Sequence, residues 1–120
     1  MNDSICLMKD VLKAFNEFEK SLLKVHSLSL NEAMLLCMLG EYGKGKGHLS
    51  ASEIAEITGF TASHTSKVLR SAESRNWISR SLCDQDRRKM HFELTPAGLN
   101  KLKQLKGTPV EVPELLKKLL

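Results

Sequence analysis

The side chains best able to do chemistry in this chain are cations gathered in one segment. Residues 61 to 92 contain seven basic and three acidic residues, an excess of four that equals the formal net charge of +4 of the whole chain. The basic residues are Lys67, Arg70, Arg75, Arg80, Arg87, Arg88 and Lys89, and the acidic ones are Glu73, Asp84 and Asp86. One basic segment in an otherwise balanced chain is typical of a protein that binds a polyanion such as nucleic acid. The alternative is a charged face that is simply solvated.

Other kinds of chemistry find little support in the sequence. It contains no Ser-His-Asp arrangement, paired carboxylates or glycine-rich phosphate loop of a recognisable kind. The histidines are scattered, and Cys6, Cys37 and Cys83 do not have the spacing of metal ligands. We therefore expect no enzyme activity, no cofactor and no metal site.

The composition indicates a single globular domain. The chain has 120 residues, of which 42% are hydrophobic, 27% charged and only 5% aromatic, so an aliphatic and mainly helical core is expected. No apolar stretch approaches the roughly 20 residues of a membrane helix, and the start of the chain does not resemble a signal peptide. An odd number of cysteines favours a reduced protein. These features predict a cytoplasmic protein with no membrane segment.

Both ends of the chain carry apolar residues at helical spacing. Steps of three and four residues predict an amphipathic helix over residues 5 to 25. Its apolar stripe needs a partner, either the rest of the fold or a second chain. The stripe consists of Ile5, Met8, Leu12, Phe15, Phe18, Leu22 and Val25. Leu115, Leu116, Leu119 and Leu120 predict a short last helix, which must dock on something because so few residues do not hold a helix alone.

Two capping boxes mark the helices between these ends. Ser29 with Glu32 opens a helix that is apolar nearly all round and is therefore expected to be central and buried. Ser50 with Glu53 opens a short helix over residues 53 to 58, and Gly59 fits the left-handed position that ends it. We expect this short helix to place three apolar side chains against the core, those of Ile54, Ala55 and Ile57.

The next helix is predicted to begin after Thr61 as N-cap and to run to about residue 75, where Asn76 can end it. Two helices joined by a tight glycine-containing turn are typical of a helix-turn-helix. The expected inner face is Thr65, Val68, Leu69 and Ala72. The expected outer face is Ser63, His64, Ser66, Lys67, Arg70 and Ser71, and such small, polar and basic side chains suit a groove of DNA.

The residues after this helix alternate between two kinds of side chain with a period of two. Residues 78 to 83 and 90 to 94 alternate in polarity and predict two strands joined by a polar turn over residues 84 to 88. Thr95 as N-cap and Pro96 at the first position predict a helix that extends to Lys106 and ends at Gly107. The predicted fold class is therefore mainly α with a small β-wing.

This pattern resembles the winged helix-turn-helix of the MarR family of bacterial transcriptional regulators. That family carries Asp-x-Arg, five residues, then Leu-Thr-x-x-Gly, and Asp86, Arg88, Leu94, Thr95 and Gly98 stand at those spacings. Residues 49 to 55 and 61 to 78 are similar to the family's helix-turn-helix. The resemblance covers roughly residues 28 to 106.

The resemblance implies an arrangement for the whole chain. Residues 1–27 would form an N-terminal dimerisation helix, residues 28–98 the DNA-binding region, and residues 99–120 the C-terminal helices, which would also serve dimerisation. The expected partners are double-stranded DNA, a second copy of the chain in a homodimer and a small-molecule effector. Family members usually end in a long helix, whereas here the tail after Gly107 is short and broken by Pro109 and Pro113.

The resemblance also implies the site residues. The helix would face the major groove, while Arg88 would enter the minor groove from the wing, braced by Asp86, with Arg87 and Lys89 touching phosphates. The predicted DNA-binding residues are Thr61, Ser63, His64, Ser66, Lys67, Arg70, Asp86, Arg87, Arg88 and Lys89. The alternative for each is an ordinary solvated surface residue.

Two functions of different classes follow. The first is a sequence-specific transcriptional regulator, more specifically a repressor, that a ligand could release from DNA. The second is a winged-helix protein–protein interaction module with weak or no DNA binding, which would use its apolar end helices. Some family members sense oxidants through a cysteine near the N-terminal helix, where Cys6 stands, and the alternative for Cys6 is an inert apolar side chain.

Overall fold

A computed structural model describes residues 4–42, 48–82 and 90–118. These ranges contain helices α1 to α6 and strands β1 to β3, grouped in two units, Met1–Leu30 with Thr108–Leu120, and Asn31–Gly107. The helices are α1 (Ser4–His26), α2 (Leu30–Tyr42), α3 (Ala51–Thr58), α4 (Ala62–Ser74), α5 (Pro96–Gly107) and α6 (Glu114–Lys117). The strands are β1 (Leu49–Ser50), β2 (Ile78–Leu82) and β3 (Met90–Leu94).

The first unit pairs the two ends of the chain. Helix α1 contacts α6, and the ring Nε2 of His26 lies 2.8 Å from the carbonyl oxygen of Thr108. Leu22 and Leu116 are buried, so the predicted docking of the short last helix is confirmed for its described residues. The first turns of α1 keep apolar side chains in solvent, up to 80% exposure at Ile5. The exposed members of the stripe are Ile5, Met8, Leu12, Phe15 and Val25.

Helix α2 supplies much of the core of the second unit. Its sequence is apolar nearly all round, as predicted, and Leu35, Leu36 and Leu39 are buried while Met34 remains partly exposed. By length and composition, no single helix in the described ranges could span a membrane, and only α1 and α2 taken together pass that test.

Local capping sets the bounds of α3 and α4. The Ser50 hydroxyl accepts the backbone N–H of Glu53 at 3.2 Å, and the Glu53 carboxylate accepts that of Ser50 at 3.0 Å, which confirms the predicted capping box. Gly59 has φ 80°, a left-handed conformation that closes α3 without a Cβ clash. The Thr61 hydroxyl caps α4 at the backbone N–H of His64, at 3.1 Å.

One prediction about the core is wrong. Ile54 is buried as expected, whereas Ile57 is 43% exposed. Helix α3 has only eight residues, and it is covered by α4 and by the sheet. These neighbours cover only one side of α3, so Ile54 is buried and Ile57 stays in solvent.

The sheet has three antiparallel strands in the order β1-β3-β2. Strands β2 and β3 form the predicted hairpin, with Ile78 opposite Leu94 and Leu82 opposite Met90. Strand β1 was not predicted, because two residues are too few to show a period of two. It pairs Leu49 with Phe92, and the short strand thereby joins the start of α3 to the hairpin.

Helix α5 begins where the sheet ends. The Thr95 hydroxyl accepts the backbone N–H of Gly98 at 3.0 Å and donates to the carbonyl of Asn76 at 2.6 Å. The backbone N–H of Thr95 donates to the carbonyl of Trp77 at 3.0 Å. A Cβ at position 98 would overlap that same carbonyl oxygen, so glycine is required for the close approach of α5 to Trp77.

Candidate nucleic-acid interface

Helix α4 presents two contrasting faces. Its inner residues Thr65, Val68, Leu69 and Ala72 are buried, as the sequence predicts. Its outer face is exposed and consists of small polar and long basic side chains, Ser63, Ser66, Lys67 and Arg70. Residues three and four apart lie side by side on a helix, so these four side chains form one continuous stripe. Thr61, another predicted site residue at this end, is exposed and caps the helix.

His64 differs from its neighbours on the predicted outer face. Its side chain is half-buried, and its Nε2 lies 3.0 Å from the amide nitrogen of Asn31 in α2. Its ring also meets that of Phe60 edge to face, with 4.6 Å between the centroids. The imidazole is therefore held against Asn31 of α2 and Phe60, at the end of α4 where the stripe begins.

Helix α2 also holds the other end of α4. The buried carboxylate of Glu32 accepts a hydrogen bond from the Ser71 hydroxyl at 2.8 Å and one from Arg75 at 3.3 Å. The Arg75 guanidinium lies over the ring of Trp77, 3.9 Å from its centroid. Asn31 and Glu32 are consecutive, yet their contacts on α4 lie about two turns apart. The sequence did not reveal these contacts, because Glu32 fits a capping box and its partners are 39 and 43 residues away.

A second acidic residue engages the wing. The Glu73 carboxylate receives two hydrogen bonds from Arg80 on β2, one at 2.7 Å from Nε and one from Nη2. The hydrogen bond to Glu73 raises the pKa of Arg80, which stays charged. The guanidinium also lies 5.5 Å from the centroid of Phe92. The residue types could have suggested an ion pair in this segment, but only the packing of α4 against β2 shows which residues form it.

The cations between the start of α4 and the end of β2 therefore fall into two classes. Arg75 and Arg80 each have a carboxylate partner, Glu32 and Glu73 respectively. Within the described ranges, Lys67 and Arg70 form no ion pair. They are the residues of α4 whose charge is available to an incoming anion.

An open groove of about 540 Å³ runs beside this stripe, between the amino end of α3, helix α4 and the sheet. Hydroxyl groups and arginines line it together with apolar side chains. The lining residues are Ser50, Ala51, Ser52, Ser66, Leu69, Arg70, Arg80, Met90 and Phe92. Ser50 and Ser52, which are not among the predicted DNA-binding residues, thus share a surface with Ser66 and Arg70.

The remaining predicted site residues, Asp86, Arg87, Arg88 and Lys89, lie outside the described residues. The described parts of the hairpin end at Leu82 and Met90, which are paired with each other. The roles assigned to these four residues stay predictions.

Other reactive side chains are dispersed. In the described ranges, no three His, Cys, Asp or Glu residues come close enough to hold a metal ion. His48 stacks on His91, with 4.0 Å between ring centroids, and its buried Nδ1 has no hydrogen-bond partner. Burial raises the pKa of the Cys37 thiol, an effect that Lys106 opposes and Glu41 reinforces.

Comparison with known proteins agrees with this arrangement. A family model described as MarR family matches residues 26–89, more than half of the chain. The chain belongs to the MarR family. The match contains α2, β1, α3, α4 and β2, and it therefore includes the whole stripe and every residue that lines the groove except Met90 and Phe92 of β3.

Relatives and solved structures extend the comparison. The chain is 34% identical over 99 residues to YpoP of Bacillus subtilis (strain 168), described as an uncharacterized HTH-type transcriptional regulator. That match covers 82% of this chain and 66% of YpoP, slightly less than two-thirds of the relative. The crystal structure of AbsC, a MarR family transcriptional regulator from Streptomyces coelicolor, is 25% identical with a TM-score of 0.74, covering 89% of this chain and 74% of AbsC.

The structure of an S. aureus MepR–DNA complex is similar in fold, with a TM-score of 0.75 at 18% identity, covering 89% of this chain and 76% of MepR. The predicted fold class, mainly α with a small antiparallel β-wing, is thus confirmed. The curated relative and the family are transcriptional regulators rather than enzymes.

Proposed function

We propose that this MarR-family chain is a transcriptional regulator that binds double-stranded DNA in a sequence-specific manner, with α4 in the major groove. One observation carries the proposal. The stripe of Ser63, Ser66, Lys67 and Arg70 is exposed, polar and basic, and it stands on a helix that α2 holds at both ends. The fold shared with the MepR–DNA complex supports the same reading.

The chemistry of the stripe suits a DNA groove. Arginine and lysine donate to phosphates or to the O6 and N7 acceptors of guanine, and serine hydroxyls donate to or accept from either phosphates or bases. Lys67 and Arg70 can make such contacts without first giving up a carboxylate in the described part of the chain. His64 and Thr61 would act mainly on the placement of the helix, because both make contacts that fix its first turn.

The proposal includes a homodimer that represses transcription by occupying its site. The exposed apolar side chains of α1, Ile5, Met8, Leu12 and Phe15, form a patch that a second copy would cover. A two-fold dimer presents two recognition helices to successive major grooves, about one turn of DNA apart. Release by a small-molecule effector stays a prediction from the family resemblance.

The first experiment asks whether a specific site exists. The purified full chain is used to select genomic fragments at near-physiological salt, and the enriched site is then measured by fluorescence anisotropy. Arg70→Ala should weaken binding to that site by about 1–3 kcal/mol if the side chain reads a base. Lys103→Ala, an exposed cation on α5, is the matched control and should change affinity little. Failure to enrich any site, or equal effects of the two substitutions, would favour the interaction-module alternative.

The wing residues need a separate test, because their roles are predicted from the sequence alone. Arg88→Ala should reduce specific affinity by about 1–3 kcal/mol if it reads the minor groove. If Arg88 meets only a phosphate, binding to all sequences should weaken alike and the salt slope should fall by about one. Asp86→Ala should reproduce part of the loss. An equal effect from Lys118→Ala, on the tail, would contradict the role proposed for the wing.

A further inference from the structure

We propose that Glu73 is a specificity-determining residue that limits binding to DNA of unrelated sequence, by keeping Arg80 paired in the free protein. The inference rests on the DNA-binding function proposed above. It concerns an acidic residue in the basic segment, where a negative charge opposes the binding of a polyanion.

Glu73 continues the DNA-facing stripe of α4. Ser66, Arg70 and Glu73 are separated by four and three residues, so their side chains lie on one face of the helix. The carboxylate is thus one turn beyond Arg70 and is hydrogen-bonded to Arg80, and both of these arginines line the groove. A phosphate that approached Arg80 there would also approach Glu73.

The pairing of Glu73 with Arg80 has a defined geometry. Two nitrogens of the guanidinium, Nε and Nη2, donate to the two carboxylate oxygens of Glu73. Such a two-point contact is stronger and more directional than a single hydrogen bond. The side chains are nevertheless 45% exposed for Arg80 and 23% exposed for Glu73, so the pair faces solvent and an anion can reach it.

The consequence for DNA follows from charge balance. Lys67 and Arg70 can neutralise a phosphate directly, whereas Arg80 must exchange its carboxylate partner for the phosphate. The displaced carboxylate would then remain beside the DNA and repel it. Phosphate contacts are common to all sequences and supply most of non-specific affinity. Keeping one arginine out of that set lowers non-specific binding and raises the ratio of specific to non-specific affinity.

The test compares Glu73→Gln with the wild-type chain on two duplexes of equal length, the selected site and a scrambled sequence. Each neutralised phosphate changes the slope of log K against log salt by about 0.9, which corresponds to about fivefold at 0.15 M salt. For each subunit bound to the scrambled duplex, we therefore expect Glu73→Gln to raise affinity about fivefold and to steepen the slope by about one. Affinity for the selected site should rise less, so the specificity ratio should fall.

Glu93→Gln is the matched control. Glu93 is exposed on β3, opposite Ser79, and has no ion-pair partner among the described residues. This substitution changes the net charge by the same amount without releasing an arginine, so the slope should stay at the wild-type value. The double variant Glu73→Gln with Arg80→Gln should lose the added slope. Thermal melting of each variant establishes that it is folded.

The outcomes separate this inference from the function on which it rests. If the wild-type chain binds the selected site but Glu73→Gln and Glu93→Gln have equal slopes, the role of Glu73 is wrong and the proposed function stands. If the steeper salt slope persists in the double variant, the role of Glu73 is also contradicted, because Arg80 would then not be the source of the extra slope. If the wild-type chain binds neither duplex, the proposed function itself fails.

Discussion

The carboxylate of Glu32, in the first turn of α2, accepts a hydrogen bond from the hydroxyl of Ser71 in α4 at 2.8 Å. The side chain of Glu32 is only 8% exposed, and its other oxygen takes a hydrogen bond from Arg75. This contact, with that between Asn31 and His64, connects one short segment of α2 to both ends of α4. The orientation of α4 is therefore set by contacts on its inner side, from residues that do not belong to the stripe of Ser63, Ser66, Lys67 and Arg70.

Removing the Glu32 carboxylate should lower stability. Glu32→Ala should reduce the free energy of unfolding by about 2 kcal/mol, because hydrogen bonds to a charged group are lost and the Ser71 hydroxyl is left without its acceptor. Glu32→Gln keeps an acceptor for Ser71 and should cost less. Urea unfolding measures both. Glu56→Ala, an exposed glutamate on α3, is the control, and a loss as large as that of Glu32→Ala would contradict the prediction.

Gly98 should be intolerant of a side chain. Gly98→Ala should destabilise the protein by about 1–3 kcal/mol, since the added Cβ would overlap the carbonyl oxygen of Trp77 and backbone must move to relieve it. Gly107→Ala is a matched control, because a Cβ there meets nothing within 4 Å. Thermal denaturation of both variants gives the comparison. Equal melting temperatures would show that α5 does not approach Trp77 as closely as described.

Cys37 should react slowly with thiol reagents. Its pKa is raised chiefly by burial, so a smaller fraction is thiolate at pH 8 than for a free thiol, and the thiolate is the nucleophile. Alkylation followed by peptide-resolved mass spectrometry should show Cys37 modified more slowly than the exposed Cys6. Raising the pH should increase the alkylation rate of Cys37, because a larger fraction of its thiol is then ionised. In urea the two residues should react at comparable rates, and a persistent difference there would rule out burial as the cause.

The exposed stripe of α1 should mediate self-association. The double substitution Leu12→Gln with Phe15→Gln should shift the protein from dimer toward monomer in sedimentation equilibrium, because it removes apolar area from the proposed contact. Lys13→Gln with Glu17→Gln changes neighbouring exposed positions and should leave the dimer intact. A wild-type chain that sediments as a monomer at micromolar concentration would contradict the homodimer.

Local signals in the sequence predicted most of the fold. Capping and turn residues act over three or four positions, so Ser50 with Glu53, Gly59, Thr61 and Thr95 could be recognised from their neighbours alone. Asn76 has the left-handed conformation expected of it, with φ 61°. Helical and strand periods then identified α1, α4, β2 and β3.

The contacts that position the candidate site could not be predicted from the sequence. Glu32 with Ser71 and Asn31 with His64 join residues more than 30 positions apart, and no local pattern specifies such a pairing. The pair of Glu73 with Arg80 depends on how α4 packs against β2. His64 was expected on the outer face of α4, but Asn31 and Phe60 hold its ring.

Ser50 is at once the last residue of β1 and the N-cap of α3. No linker therefore separates the three-stranded sheet from the helix-turn-helix, and a rotation of the sheet about Ser50 must carry the first turn of α3 with it. Because the sheet also contacts α3 and α4, we expect the described part of the hairpin and the helix-turn-helix to move together. Contacts made by each on a DNA duplex would then form and break in a single kinetic step.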